Sequence, residues 1–266
     1  MSYGRRAADY PFFDNGGAPL AFAHRGGRTS VDGHTFENTM RAFERAVALG
    51  YRYLETDAHT TSDGVLLAFH DATLHRTTGS AGTVADLTYD EVRRVRIGGT
   101  EPVPLMHELF STWPDVRLNI DAKSTDCVGP LAAVVCEHRA WDRVCVASFS
   151  PRRLHQLRAM LGPRVATAYA APGVTAMRFL PTQTLRRVCL GARGLAAQVP
   201  VRKNGIEIVT ASFVARAHEL GKQVHVWTID EQPEIDRLLD LGVDGVMTDR
   251  LDVLRDVLRA RGNWQV

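Results

Sequence analysis

Short apolar runs alternate with stretches of helical periodicity along almost the whole chain. Residues 20–23 read as a buried strand, followed by a helix whose Met40, Phe43, Val47 and Leu49 share one face and which stops at Gly50. Residues 51–58 form the next predicted strand, and 65–69 a short apolar run set off by the Asp63-Gly64 turn. The segment 71–115 holds Gly79, Gly82, Gly98, Gly99, Pro102 and Pro104 and reads as an excursion carrying one short helix at 89–95. The repeat then resumes, with strands at 117–122, 143–149, 165–169, 195–199, 223–229 and 245–248. Helices are predicted at 128–138, 151–161, 182–190, 212–220, 233–241 and 252–261, and Ser150-Pro151 supplies an N-cap with proline in the first turn. Eight such units with apolar strands predict an α/β fold, a (β/α)8 TIM barrel. It forms one domain over 1–266, with a small insertion at 71–115 after the second strand. A doubly wound open sheet is the competitor, and no GxGxxG follows any strand to favour it.

Composition narrows the function. The chain has 266 residues, with 45% hydrophobic and 23% charged residues, which is globular usage and excludes disorder. The 32 Lys+Arg against 30 Asp+Glu leave a net charge of +2, which argues against nucleic acid as a partner. Cys127, Cys136, Cys145 and Cys189 are too far apart for a CxxC motif and are expected as reduced, buried thiols. The first 17 residues lack an apolar signal core and no window suits a membrane span, so a soluble, cytoplasmic protein without stable membrane insertion is expected. The pattern specifies no oligomeric state. The ten histidines are the feature to follow.

A barrel carries its site at the C-terminal ends of its strands. Those ends read His24-Arg25-Gly26-Gly27, Glu55-Thr56-Asp57, Asp121-Ala122-Lys123, Ser148-Phe149, Trp227-Thr228 and Thr248-Asp249, with Phe69-His70-Asp71 closing the hairpin after the second strand. Glu55 and Asp57 are two apart on a strand and point the same way. Such neighbours need a cation, and with Asp121 they suit a hard divalent one, Mg²⁺ or Ca²⁺. Arg25 and Lys123 offer positive charge to a phosphate, and His24 and His70 can move protons near neutral pH. Together these suggest phosphodiester cleavage.

At these residues the chain resembles the glycerophosphodiester phosphodiesterase family. The matching motifs are His24-Arg25-Gly26, Glu37-Asn38-Thr39, Glu55-x-Asp57 and His70-Asp71, in that order. They continue with Thr77-Thr78-Gly79, Pro104-Leu105 before a helix, the strand at 119–123, Ser148-Phe149 and Val226-Trp227-Thr228. The resemblance covers about residues 20–260. It implies a divalent-metal enzyme that hydrolyses small glycerophosphodiesters to an alcohol and glycerol 3-phosphate. It further implies His24 and His70 as the acid–base pair, and Glu55, Asp57 and Asp121 as metal ligands with Glu37 a ligand or neighbour. Arg25 and Lys123 would contact phosphate and Trp227 would line the pocket. Attack by water or by the neighbouring glycerol hydroxyl, the latter through a cyclic phosphate, are both compatible. Two departures stand out: Asp121 replaces the usual Glu, and Phe36 precedes Glu37 where proline is frequent.

The remaining histidines read mainly as structural, namely His138, His155, His218 and His225, while His59, His75 and His107 lie near enough to the motifs to rim the site. His34, in the loop 28–36, has no assigned role. Asp249 reads as an N-cap or loop residue rather than a catalytic one. Two rival readings remain. One is a lysophospholipase D or sphingomyelinase-D-like enzyme on the same barrel, with the apolar stretch 178–181 as a membrane-facing rim. The other is a non-catalytic phosphate-binding protein.

Overall fold

A computed structural model describes residues 5–28, 30–31, 34–190 and 194–264; His34's side chain lies outside the described part. Its barrel strands are β1 (Leu20–His24), β2 (Tyr53–Thr60), β3 (Arg117–Ala122), β4 (Val144–Ala147), β5 (Ala166–Thr167), β6 (Ala196–Val199), β7 (Gln223–Val226) and β8 (Gly245–Thr248). They pair in the order β5-β4-β3-β2-β1-β8-β7-β6, all parallel. A parallel bridge between Ala168 and Ala196 closes the ring between β5 and β6. The Tyr169 N–H donates to the Ala196 carbonyl at 2.9 Å and the Leu195 N–H to the Thr167 carbonyl at 2.8 Å. The predicted barrel is therefore the observed one.

The strands are nearly all apolar because both faces are covered. One face meets the surrounding helices: α1 (Met40–Ala48), α2 (Met106–Thr112), α3 (Val128–Glu137), α4 (Pro151–Leu161), α5 (Ala171–Phe179), α6 (Gln183–Leu190), α7 (Ala211–Glu219), α8 (Gln232–Asp240) and α9 (Leu251–Ala260). The other face fills the barrel in layers. At the N-terminal end Phe22, Tyr53, Cys145 and Met247 pack with Phe12 and Phe13 of the N-terminal segment, and the Tyr53 hydroxyl donates to the Phe12 carbonyl at 2.9 Å. Above them the amides of Asn119 and Gln198 pair at 2.6 Å, with His225 beside Gln198. The carboxylates come last. Along each strand the side chain two residues on points the same way, so the layers follow from sequence spacing.

Glycines set the chain direction where β1 turns toward α1. Gly26 has φ 82°, and a Cβ there would sit 2.8 Å from Ala42 Cβ, so α1 could not approach. The excursion begins with Leu66–Ala68, antiparallel to β2, and buries its own small core of Leu67, Phe69, Leu74, Val84, Val92, Ile97 and Val103. The second barrel helix, α2, lies inside the span predicted as insertion, so the extra chain is shorter than 71–115.

Three local expectations are corrected. Helix α5 was not predicted; Pro172 stands in its first turn, where proline is favourable. The hairpin of Arg202–Lys203 with Ile206–Glu207 was also not predicted, although Asn204 and Gly205, at φ 51° and 78°, are a two-residue hairpin turn. Of the four cysteines only Cys127 and Cys145 are buried; Cys136 and Cys189 are exposed on α3 and α6. No helix among the described residues is long and apolar enough to cross a membrane.

His225 is fully buried inside the barrel, with one ring nitrogen 2.8 Å from Gln223 Oε1, and burial pushes its pKa down to about 4. The unfolded chain takes up that proton near pH 6.5 and the folded one does not. Stability should therefore fall as pH drops from about 6.5 to about 4, by roughly 3 kcal/mol from this group. Urea unfolding of His225→Gln across this range should show a shallower slope than wild type. An equal slope would mean that His225 does not supply it.

Candidate active site

The pairing register brings the acidic positions together: His24 lies beside Glu55 and Asp57 beside Asp121 on neighbouring strands. All three carboxylates are buried. Arg25 turns out of β1 with φ 52°. Its N–H donates to Glu55 Oε2 at 3.1 Å and its guanidinium to Glu37 Oε1 at 2.9 Å. Arg25 Nε stands 3.1 Å from Asp57 Oδ2 as an ion pair without hydrogen-bond alignment. Lys123 Nζ lies 2.9 Å from Asp57 Oδ1 and 2.7 Å from Asp121 Oδ2. Asn38 donates to Asp57 Oδ2 at 3.1 Å and accepts from the Thr56 hydroxyl at 2.7 Å.

These contacts divide the carboxylates. Burial, then the Asp57 charge, pushes Glu55 up to about pKa 7. Burial works the same way on Asp57, but Lys123 and Arg25 outweigh it and hold Asp57 below its ordinary value. Asp121 Oδ1 is buried without a hydrogen-bond partner. An orphaned carboxylate oxygen near a carboxyl whose pKa is pushed up to about 7 fits a divalent cation at this place. A second group that could hold a metal is His107, Glu137 and His138, whose ligand atoms lie within 4.8 Å of one another. That His/Glu group is on the outer helices and none of it lines the barrel cavity.

Both motif histidines rest on an aspartate. His24 Nδ1 is 2.7 Å from Asp249 Oδ1 and its Nε2 is 3.9 Å from Glu55 Oε2. Burial opposes a charged ring, but Glu55 and Asp249 outweigh it and raise the His24 pKa. His70 Nδ1 is 2.5 Å from Asp71 Oδ1. Arg76 ties Asp71 to Glu37, donating to Asp71 Oδ2 at 2.5 Å and to Glu37 Oε1 at 2.6 Å. Because Arg25 and Arg76 hold both Glu37 oxygens, Glu37 stands outside the carboxylate group and does not line the cavity. His59 Nε2 is 3.1 Å from the His70 carbonyl, so it props the loop from below. His75 and His107 do not line the cavity.

His24, Arg25, Glu55, Asp57, His70, Asp121, Lys123 and Trp227 all line one cavity of about 560 Å³ at the strand ends. Sequence reasoning undervalued Asp249. Its N–H donates to Asp230 Oδ1 at 2.8 Å, which fixes the turn and aims the carboxylate at His24. The available signal was its place directly after β8, next to β1 in a closed barrel.

A closed parallel barrel with two histidine–aspartate pairs above a cation-compensated carboxylate cluster is, as a class, a TIM-barrel enzyme of acid–base chemistry on an anionic substrate. The chain belongs to the glycerophosphoryl diester phosphodiesterase family, whose sequence profile matches residues 24–253. Members of this family generally depend on a divalent cation. The chain is 37% identical to a Mycobacterium tuberculosis protein called "probable glycerophosphodiester phosphodiesterase 2", over 94% of this chain and 98% of that one. It is 29% identical to a lysophospholipase D of Rattus norvegicus, over 89% of this chain and 85% of that one. In fold it matches an Oleispira antarctica phosphodiesterase solved with the product sn-glycerol-3-phosphate. That match has a TM-score of 0.75 and 21% identity, and covers 91% of this chain and 97% of that one.

Replacing Asp249 by Asn removes a negative charge from the His24 ring and should lower the His24 pKa. NMR titration of the imidazole reads this directly. An unchanged or higher pKa would show that the pair does not form.

Proposed function

We propose that this protein is a divalent-cation-dependent hydrolase that cleaves small glycerophosphodiesters to sn-glycerol 3-phosphate and an alcohol. The reading rests above all on one observation: two histidines, each backed by an aspartate, face the same cavity as three carboxylates and two cations. Such a set neutralises a phosphate and supplies both proton transfers of its hydrolysis. A non-catalytic phosphate binder would have no use for the two histidine–aspartate pairs.

In this mechanism Glu55, Asp57 and Asp121 would hold Mg²⁺ or Ca²⁺, which neutralises charge on the phosphate when bound. The Arg25 guanidinium and the Lys123 ammonium add their charges from the same side. Either His24 or His70 removes the proton from the attacking oxygen, which is water or the glycerol hydroxyl next to the phosphate. The other donates a proton to the departing alcohol oxygen. Asp249 and Asp71 keep each ring in one orientation, and Asp249 also favours the protonated form of His24. Trp227 forms a wall of the pocket, edge-on to Phe149 at 6.1 Å between ring centres. Residues 1–266 act in this reading as one catalytic domain in the cytoplasm.

Purified protein should release glycerol 3-phosphate from glycerophosphocholine, lose this in EDTA and regain it with Mg²⁺ or Ca²⁺. His24→Ala and His70→Ala should each lower kcat by about 10²–10⁴-fold with the circular-dichroism spectrum unchanged. Wild-type turnover in either variant would remove that histidine from the chemistry, and EDTA-insensitive activity would remove the metal.

A further inference from the structure

Two histidines that the barrel site does not use meet on the outside of the protein. His107 stands in the first turn of α2, and His138 directly follows Glu137, the last residue of α3. His107 Nδ1 lies 2.9 Å from His138 Nε2 and 3.8 Å from Glu137 Oε1. One ligand atom of each residue falls within 4.8 Å of the other two. His107 and Glu137 are exposed and His138 is half-buried.

Hydrogen bonding alone serves this arrangement poorly. A proton on His107 Nδ1 can be aimed at only one of its two neighbours, and without that proton Nδ1 and the Glu137 carboxylate are two acceptors side by side. A single cation between the three atoms satisfies all of them. Two imidazole nitrogens and one carboxylate oxygen suit zinc and its borderline neighbours, whereas Mg²⁺ and Ca²⁺ prefer oxygen alone. With Zn–N bonds of about 2.0–2.1 Å, two nitrogens on one tetrahedral ion stand about 3.3 Å apart, so the rings need separate by only about 0.4 Å. Glu137 and His138 also sit at the C-terminal end of α3, where the helix dipole favours positive charge. The His138 ring packs against Phe110 of α2, 5.3 Å between centres, which holds it toward His107. Arg143 stands over the same Phe110 ring, and its guanidinium is taken up by the carbonyls of Phe110, Trp113 and Val116.

We infer that His107, Glu137 and His138 form a second metal site, which takes one divalent ion of the zinc class, with water completing its shell, and ties α2 to α3. Helix α2 follows the excursion that carries His70, and α3 follows the strand that carries Asp121. The ion braces these two barrel units from outside and takes no part in the chemistry at the mouth. The site stands independently of the hydrolase reading, since none of its residues lines the barrel cavity.

The test uses full-length protein in excess Mg²⁺, which competes for the carboxylates of the mouth. Zn²⁺ is added in a calorimetric titration, and the imidazole nitrogens are followed by NMR. The ring signals of His107 and His138 should shift together as one Zn²⁺ per chain binds. His107→Gln and His138→Gln should each weaken this binding by at least about tenfold, since losing even an outer partner of a metal site costs about 10–100-fold. Glu137→Gln should weaken it too. An ion that binds only the folded chain stabilises it, so Zn²⁺ should raise the melting temperature of wild type and not of His107→Gln. Ring signals of His107 and His138 that stay unmoved by Zn²⁺ in wild type would overturn the site, whether or not the variants fold. Zinc uptake and stabilisation equal to wild type in His107→Gln and His138→Gln would overturn it as well, and would move the ion to the barrel mouth.

Discussion

Placing Glu55, Asp57 and Asp121 side by side in a barrel mouth is the constraint around which the site is arranged. The parallel register allows no escape, since it sets Asp57 against Asp121 and His24 against Glu55. Each buried ion costs several kcal/mol unless compensated. Arg25 and Lys123 provide the compensation, and much of the local backbone serves to place them. Arg25 takes a left-handed conformation so that its N–H reaches Glu55 while its side chain reaches Asp57 and Glu37. Gly26 then lets α1 come close enough to bring Glu37 and Asn38 into contact.

The compensation extends beyond the barrel. Asp57, Arg25, Glu37, Arg76 and Asp71 form an unbroken chain of alternating charges, and Asp71 holds the His70 ring at its end. Its last member sits on the loop of the excursion. The carboxylate cluster thus reaches the second histidine through side chains, while the Phe69 N–H bond to the Asp57 carbonyl places its backbone. Glu37 is the link in that chain that joins Arg25 to Arg76.

Much of this was legible in the residues. The alternation of apolar runs with helical periods predicts the barrel, and the strand-end rule gathers His24, Arg25, Glu55, Asp57, Asp121 and Lys123 without any distance. What could not be read depends on contacts distant in sequence or on local breaks with two meanings. Asp249 meets His24 across 225 positions, and only closure of β8 onto β1 joins them; alone, an aspartate before a helix reads as a cap. Pro172-Gly173 reads equally as a stop or as the first turn of α5, and packing of Met177 into the core settles it. Cys136 and Cys189 sit in apolar runs, yet a helix turns one side of any run to water.

The layered interior explains how one barrel tolerates so polar a top. Inward side chains recur every second residue, so each strand contributes separately to an aromatic floor, an amide layer and the mouth. The floor of Phe12, Phe13, Phe22 and Tyr53 anchors the strands at the opposite end. The charged groups therefore need not hold the barrel together, and their strain is confined to its rim. The same independence separates the strands from each other. β1 to β3 end in ionisable groups, while β4 to β7 end in Phe149, Tyr169, Pro200 and Trp227. The buried carboxylates and the aromatic walls thus reach the cavity from different strands. Residues following β4 to β7 can therefore vary without disturbing the register that aligns Asp57 with Asp121.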